Sequence, residues 1–513
     1  MMNGFVSDED FRDVLRLTQV AILRGDLSPD RLDDLRTQLQ EEFPAGDAIM
    51  NRELVRLLVY LQADAIMDRY FEYLSTDIPK EDKVHLAMHL PFLKSGWTTE
   101  RKFELIGFLA EAAQWEGGSS YPRYLGRVAQ DFARQFSADE AILALRQGDK
   151  WPDAAVGALF KLPQELDADT RRVLQELDVA VDTRQDPAAR QLTVGITAVL
   201  ARSGDEASMA YLRGVWDRNA ERREPVAMGL AQSPGGENWQ YLIRSLPILE
   251  GMTAREALQA LRTVEQAPDD PEHARQVLLA GQRLGKHGAE DAVALLEFWT
   301  GRQLGGEDGG WQQKLEAWQQ WFHETYPNRA KATLPTDTDE NPWSFDELLE
   351  HLLSDAGRGG DAVKGSAVFA KATCDKCHGA DGQDASVGPA LTSLTRRLTR
   401  KEILQSILHP SHVIADQYAA NTLRLADGRQ IAGIVTPGSS GEITVLLADG
   451  ERITVPETDI DALTPSTTSI MRTGLIDPLT LEEITNLFAF LDNPPLRTVT
   501  KEREFGEAST RKQ

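Results

Sequence analysis

The sequence predicts a mainly α protein in two parts. An N-terminal array of helical repeats precedes a C-terminal helical domain that a small antiparallel β insert interrupts. Three observations predict this. Residues 1–328 read as helices of roughly 10 to 15 residues joined by short polar turns. A short pattern repeats within that array. Between about residues 419 and 464 the pattern changes to short β-branched runs punctuated by Asp-Gly pairs. The expected boundaries are helical repeats at 1–328, a linker at 329–343, a second domain at 344–495 and a polar tail at 496–513.

The repeat is direct. Leu200-Ala201-Arg202-Ser203-Gly204 with Tyr211-Leu212-Arg213 recurs 30 residues later as Leu230-Ala231-Gln232-Ser233-Pro234 with Tyr241-Leu242-Ile243-Arg244. Ala254–Leu261 and His273–Leu284 look like drifted copies. Periods of this size signal helical solenoids, so a HEAT-like α-solenoid is expected, with an irregular helical bundle as the other architecture open to it. Within the array, His85 and His89 lie four apart on one helix face. Without a third ligand they read as ordinary helix residues. Trp311, Trp318 and Phe322 recur at helical spacing, with Trp321 and Tyr326-Pro327 beside them, and read as the packed last helix. Arg329 to Asn341 is polar, with Pro335 and then Pro342, and reads as the linker.

Ser344 with Glu347 forms a capping-box pattern that opens a helix from Phe345 to Leu353. Next comes Cys374-Asp375-Lys376-Cys377-His378, a C-x-x-C-H motif. Thiols three residues apart on one turn reach one porphyrin edge as thioethers, and the following histidine supplies an imidazole to the iron. The chain has 2 cysteines in 513 residues, both in this motif. A four-cysteine zinc site is therefore impossible, and a disulfide here would close a very small loop for little gain. A thioredoxin-like pair needs a βαβ setting that the flanks lack. A Cys₂His₂ zinc set of Cys374, Cys377, His409 and His412 has an unusually long gap and leaves His378 idle.

Thr422–Leu425, Gln430–Val435, Glu442–Leu447 and Glu451–Val455 read as short strands, with Asp427-Gly428 and Asp449-Gly450 as hairpin turns. The insert shields the cofactor edge, docks a partner or is decorative. Met471 follows it and is the only methionine after Met252. Its thioether suits haem iron, and a His/Met pair favours electron transfer. His409 and His412 compete with it, as does a gap-filling core role for Met471. Thr480 with Glu483 caps the last helix, along which Ile484, Leu487, Phe488 and Leu491 recur before Pro494-Pro495.

From about Phe345 to Leu491 the chain resembles the planctomycete and verrucomicrobial type of haem-binding c-type cytochrome domain. The matching pieces are Gly365-Ser-Ala-Val-Phe369, Cys374 to His378, Gly388-Pro389-Ala390-Leu391 and Ile407-Leu408-His409-Pro410-Ser411. They continue with Ile414 and Tyr418, Asp427-Gly428-Arg429 through Gly433, Ser469-Ile470-Met471 and Phe488-Ala489-Phe490-Leu491. The resemblance implies a cytochrome c-like helical domain with one covalent haem c, tethered by Cys374 and Cys377 and ligated by His378 and Met471. It implies that the Pro389 carbonyl, after Gly388, accepts the His378 Nδ1 proton, and that Phe369 and Leu391 pack on the porphyrin. Gly365 would let the first and last helices cross closely against the Phe488 and Leu491 face. The family usually has proline after the ligand methionine, where this chain has Arg472, so one source of loop stiffness is missing.

The formal net charge of -25 argues against nucleic acid and is compatible with basic redox partners. No run approaches the roughly 20 apolar residues of a membrane span. Met1 to Ser7 carries no basic n-region or apolar h-region. Haem c attachment by bacterial maturation occurs outside the cytoplasmic membrane, so an extracytoplasmic place is expected, with either an export signal already removed or, preferred here, the chain as the C-terminal part of a longer protein. Relatives often carry a sugar-dehydrogenase-like propeller upstream. No catalytic constellation is visible. The expected role is electron carrier between redox donor and acceptor proteins, with the repeats as a docking scaffold. The alternatives are the electron-accepting part of a larger sugar or alcohol dehydrogenase, and a non-redox zinc-binding protein.

Overall fold

The computed structural model describes residues 7–306, 308–335, 342–378, 388–392, 394–414, 418–438, 441–448 and 451–492. Among them are 24 α-helices and one five-stranded antiparallel sheet. The chain divides into two compact units, Met1–Ser208 and Met209–Gln513. The polar tail and the Asp449-Gly450 turn lie outside the described residues.

In the first unit, helices run from Asp8–Gly25 to Pro187–Ser203. Side-chain caps set their starts. Ser137 and Glu140 form a reciprocal capping box, and Asp186 caps a helix that opens on Pro187. An aromatic chain runs through the core: Trp97 lies 4.8 Å from Phe132, which lies 5.6 Å from Phe136. His85 and His89 stand 4.5 Å apart between ring centroids, and His89 Nδ1 hydrogen-bonds the His85 carbonyl at 2.7 Å. Burial first, and the Arg56 charge as well, lowers the pKa of both rings. Neutral imidazoles beside cations make a poor cation site.

The second unit begins with further helices. Trp318 and Phe322 are buried on Trp311–Thr325, as their spacing predicts. The polar stretch after this helix is bound rather than loose through Leu334. Gln282 and Gln319 both donate to the Ala332 carbonyl at 2.7 Å, and Gln282 Oε1 accepts from Leu334 N–H at 3.1 Å. Glutamine amides thus satisfy a backbone whose own composition suggests a tether.

The remaining helices share one core around Leu348, Phe369, Leu404, Leu487 and Phe488. Ser344 caps Phe345–Leu353, and Thr480 and Glu483 cap each other at the start of Leu481–Asp492. The helix Ala362–Lys371 crosses Leu481–Asp492 at Gly365. A Cβ there would drive into the Asn486 carbonyl and lie 2.7 Å from Phe490 Cβ. The crossing therefore uses the Asn486 and Phe490 face rather than the Phe488 and Leu491 face, which turns into the core. Buried Arg400 ties three segments by donating to the Leu352 and Gly357 carbonyls and pairing with Asp492.

The sheet has strands β1 (Ala420–Leu425), β2 (Gln430–Pro437), β3 (Glu442–Leu446), β4 (Arg452–Pro456) and β5 (Ile460–Pro465), in the order β4-β3-β2-β1-β5. Leu423 of β1 stands opposite both Ile431 and Leu463. Leu423, Leu425, Val445 and Val455 form its apolar core. The β1–β2 turn uses Gly428 at φ 84°, with Asp427 accepting from Arg429 N–H. β5 is a strand that alternation does not predict. Most of its residues are exposed, and pairing with β1 makes it a strand.

Candidate cofactor site

The helix Ala362–Lys371 carries the chain to the motif. It is capped by Asp361, whose carboxylate accepts from the Val363 and Lys364 amides. The helix stops at Ala372, and Thr373 then takes a left-handed conformation at φ 59°. A β-branched residue there is strained by roughly 1–2 kcal/mol. The turn this creates redirects the chain into a short 3₁₀ segment, Cys374–Lys376. The Cys377 and His378 amides both donate to the Cys374 carbonyl, at 3.2 and 2.9 Å. One tight turn therefore carries both sulfurs and the imidazole.

The two thiols are half-buried and not joined to each other. Burial, with the Asp375 charge beside it, pushes the Cys374 thiol up to about 11. His378 Nδ1 donates to the Pro389 carbonyl at 2.9 Å. That bond fixes the tautomer and leaves Nε2 as the lone-pair nitrogen. Burial, opposed by the Pro389 contact, lowers the His378 pKa, so the ring is held neutral. Gly388 packs closely against this imidazole at its Cε1 and Nδ1 atoms. A Cβ at 388 would lie 2.6 Å from His378 Cε1 and 2.8 Å from Nδ1. The Gly388 amide also closes onto the Cys377 carbonyl at 2.8 Å. Gly388 is thus needed for close approach to the ring rather than for an unusual φ.

Phe369 and Leu391 are buried in the helical core, Phe369 with its ring 5.2 Å from Phe490. Met471 lies half-buried between β5 and the last helix. Its amide donates to Ser469 Oγ at 3.1 Å, and the Ser469 amide donates to Ser411 Oγ at 3.0 Å. The structure thus ties the Met471 loop to the His409–His412 turn. Burial above all, with the Arg275 and Arg283 charges, lowers His412 to about 4. Among the described residues no three His, Cys, Asp or Glu side chains gather as a metal-holding group. Cys374, Cys377, His409 and His412 are therefore not assembled as a zinc set. Two features of these turns escape a reading of the sequence: the strained Thr373 and the Ser411–Ser469 tie. No local pattern marks either of them.

The donor set fits a covalently attached haem: two thiols not joined to each other, a neutral imidazole with one nitrogen engaged, and a glycine in close contact with that ring. Residues 362–437 match the family model described as Cytochrome c. The match spans the motif and reaches β2, stopping before Met471. It supports a c-type cytochrome domain, and such a domain carries covalently bound haem c. No curated protein matches the chain. No helix among the described residues is long and apolar enough to cross a membrane.

Proposed function

We propose that this c-type cytochrome domain is the electron-carrying part of the chain, with a single haem c held by Cys374, Cys377, His378 and Met471. The observation that carries the reading is the His378 ring, fixed by Pro389 and in close contact with Gly388, beside two thiols not joined to each other. When bound, haem c supplies a one-electron iron couple. The chain's own residues do the rest. Cys374 and Cys377 provide the two tethering sulfurs. The Pro389 carbonyl keeps the Nδ1 proton on His378, so that unprotonated Nε2 would be the nitrogen that holds the metal. Met471 would hold the iron through a soft thioether, and a His/Met pair would raise the potential. Phe369 and Leu391 supply apolar walls that keep water out.

The ordered pieces from Gly365 to Leu491 favour the planctomycete and verrucomicrobial type of this domain, and an extracytoplasmic place where haem c is attached. The helices of residues 1–328 serve as a HEAT-like scaffold on which redox donor and acceptor proteins dock. The direct test is an optical spectrum of protein matured in a cytochrome c-competent host. A Soret band that survives denaturation and acid-acetone extraction is expected. Met471→Ala is expected to abolish the weak far-red band of ferric methionine ligation. Protein with no Soret band and stoichiometric zinc would overturn the proposal.

A further inference from the structure

We infer that Arg275 is a positioning residue for the Met471 loop, acting through the His409–His412 turn. Arg275 lies on the helix Pro271–Leu284, outside the segment matched to the cytochrome family, and is 2% exposed. Its guanidinium serves three chain segments. Nη1 pairs with Glu272 at 2.8 Å, Nε donates to the Lys331 carbonyl at 3.0 Å, and Nη2 donates to the His412 carbonyl at 2.7 Å. A planar fork with donors in several directions suits three fixed acceptors, and a lysine ammonium does not.

His412, whose carbonyl takes the Arg275 bond, ends a turn with its own internal order. The His412 amide donates to the His409 carbonyl at 2.9 Å, and the His409 amide to the Gln405 carbonyl at 2.8 Å. Within this turn, Ser411 Oγ accepts the Ser469 amide, and Ser469 Oγ accepts the Met471 amide. The helix leading into the turn, Arg400–Leu408, is also held at its start. Lys401 pairs with Glu250, and Arg223 reaches Glu402 at 3.3 Å. Residues 223–275 thus grip both ends of the segment that carries Ser411. A side chain far from the motif thereby decides how firmly the methionine is presented. The inference rests on the reading of Met471 as the axial ligand.

The test uses the full matured chain and three readouts: amide exchange at Ser469 and Met471, affinity of the ferric protein for added imidazole, and the far-red band. In Arg275→Ala, exchange at Ser469 is expected to quicken by about tenfold and imidazole to bind about tenfold more tightly, the scale of one lost charge-assisted hydrogen bond. The band is expected to weaken. Arg275→Lys is expected to fall between. Ser411→Ala removes only the hydroxyl and is expected to move all three readouts the same way, which tests the tie downstream; Arg275→Lys decides the role of Arg275 if Arg275→Ala does not fold. Folded variants with wild-type exchange at Ser469 and wild-type imidazole affinity would overturn the inference. Met471→Ala separates the premise: a far-red band that persists in it overturns the ligand role, whereas faster exchange in the Arg275 variant reads the anchoring alone.

Discussion

His378 and Met471 stand on segments held in different ways. The His378 turn is closed by near neighbours: its amide bonds Cys374, its ring bonds Pro389 11 residues on, and Gly388 bonds back to Cys377. The Met471 loop is held from far off. Ser469 reaches Ser411 across 58 residues, and behind that turn Arg275 reaches His412 across 137. The difference teaches where a site's precision resides. A locally closed turn needs only its own residues and a frame to sit on. A loop whose backbone bonds run to a distant turn inherits its position from everything that fixes that turn.

The largest expected effect removes the local side. Cys374→Ala with Cys377→Ala should leave no chromophore attached after denaturation, an all-or-none result read by absorbance. Next comes the frame both sides share. Gly365→Ala places a Cβ against the Asn486 carbonyl and should destabilise the second unit by about 3 kcal/mol, measured by denaturant unfolding. Because it moves the helix crossing, it should disturb both His378 and Met471. A change confined to one side would break the comparison.

Gly388→Ala sharpens it. The added methyl meets the His378 ring and should cost about 1–3 kcal/mol. It should alter the His378 Nδ1 proton resonance while leaving Ser469 exchange unchanged. Equal disturbance of the Ser469 amide would show that the two sides are not independently held.

A pH series supplies a reference away from both sides. The lowered pKa values of His85 and His89 mean that the folded first unit binds fewer protons than the unfolded chain. Stability should therefore fall as pH drops below about 6.5 toward the lower folded values. The groups linked to the pair include Arg52, Arg56, Glu53 and Asp82, whose carboxylates accept from the two arginines. His85→Gln with His89→Gln should flatten the slope, as followed by thermal unfolding of the first unit, without changing Ser469 exchange. The smallest effect is Thr373→Gly. Relief of left-handed strain, set against the entropy of an added glycine, should stabilise by about 0.5 kcal/mol, on the His378 side alone.

Much of this was legible from residues in order. The caps at Ser344 and Thr480 are local, so S-x-x-E was enough to find them. Asp427-Gly428 marked its hairpin for the same reason. Gly388 and Pro389 were visible only through the resemblance carried by Gly388-Pro389-Ala390-Leu391, although the ring contact that demands glycine was not. β5 escaped because Ile460–Pro465 carries little apolar alternation and gains its strand from β1. The crossing at Gly365 was expected, but against the wrong face of the last helix. Periodicity gives the apolar residues, and packing decides which of them meet a partner helix.

The sequence by itself determined the helical class, the C-x-x-C-H signature at Cys374 to His378, and the places where helices begin. Each of these follows from bonds between residues a few positions apart. Only the tertiary structure decided that Thr373 bears strain, that Gln282 and Gln319 bind the stretch around Ala332, and that Arg275 stands behind the Met471 loop. Those are acceptors and donors brought together from distant segments, and their pairing is set by the burial that leaves each polar group one available partner.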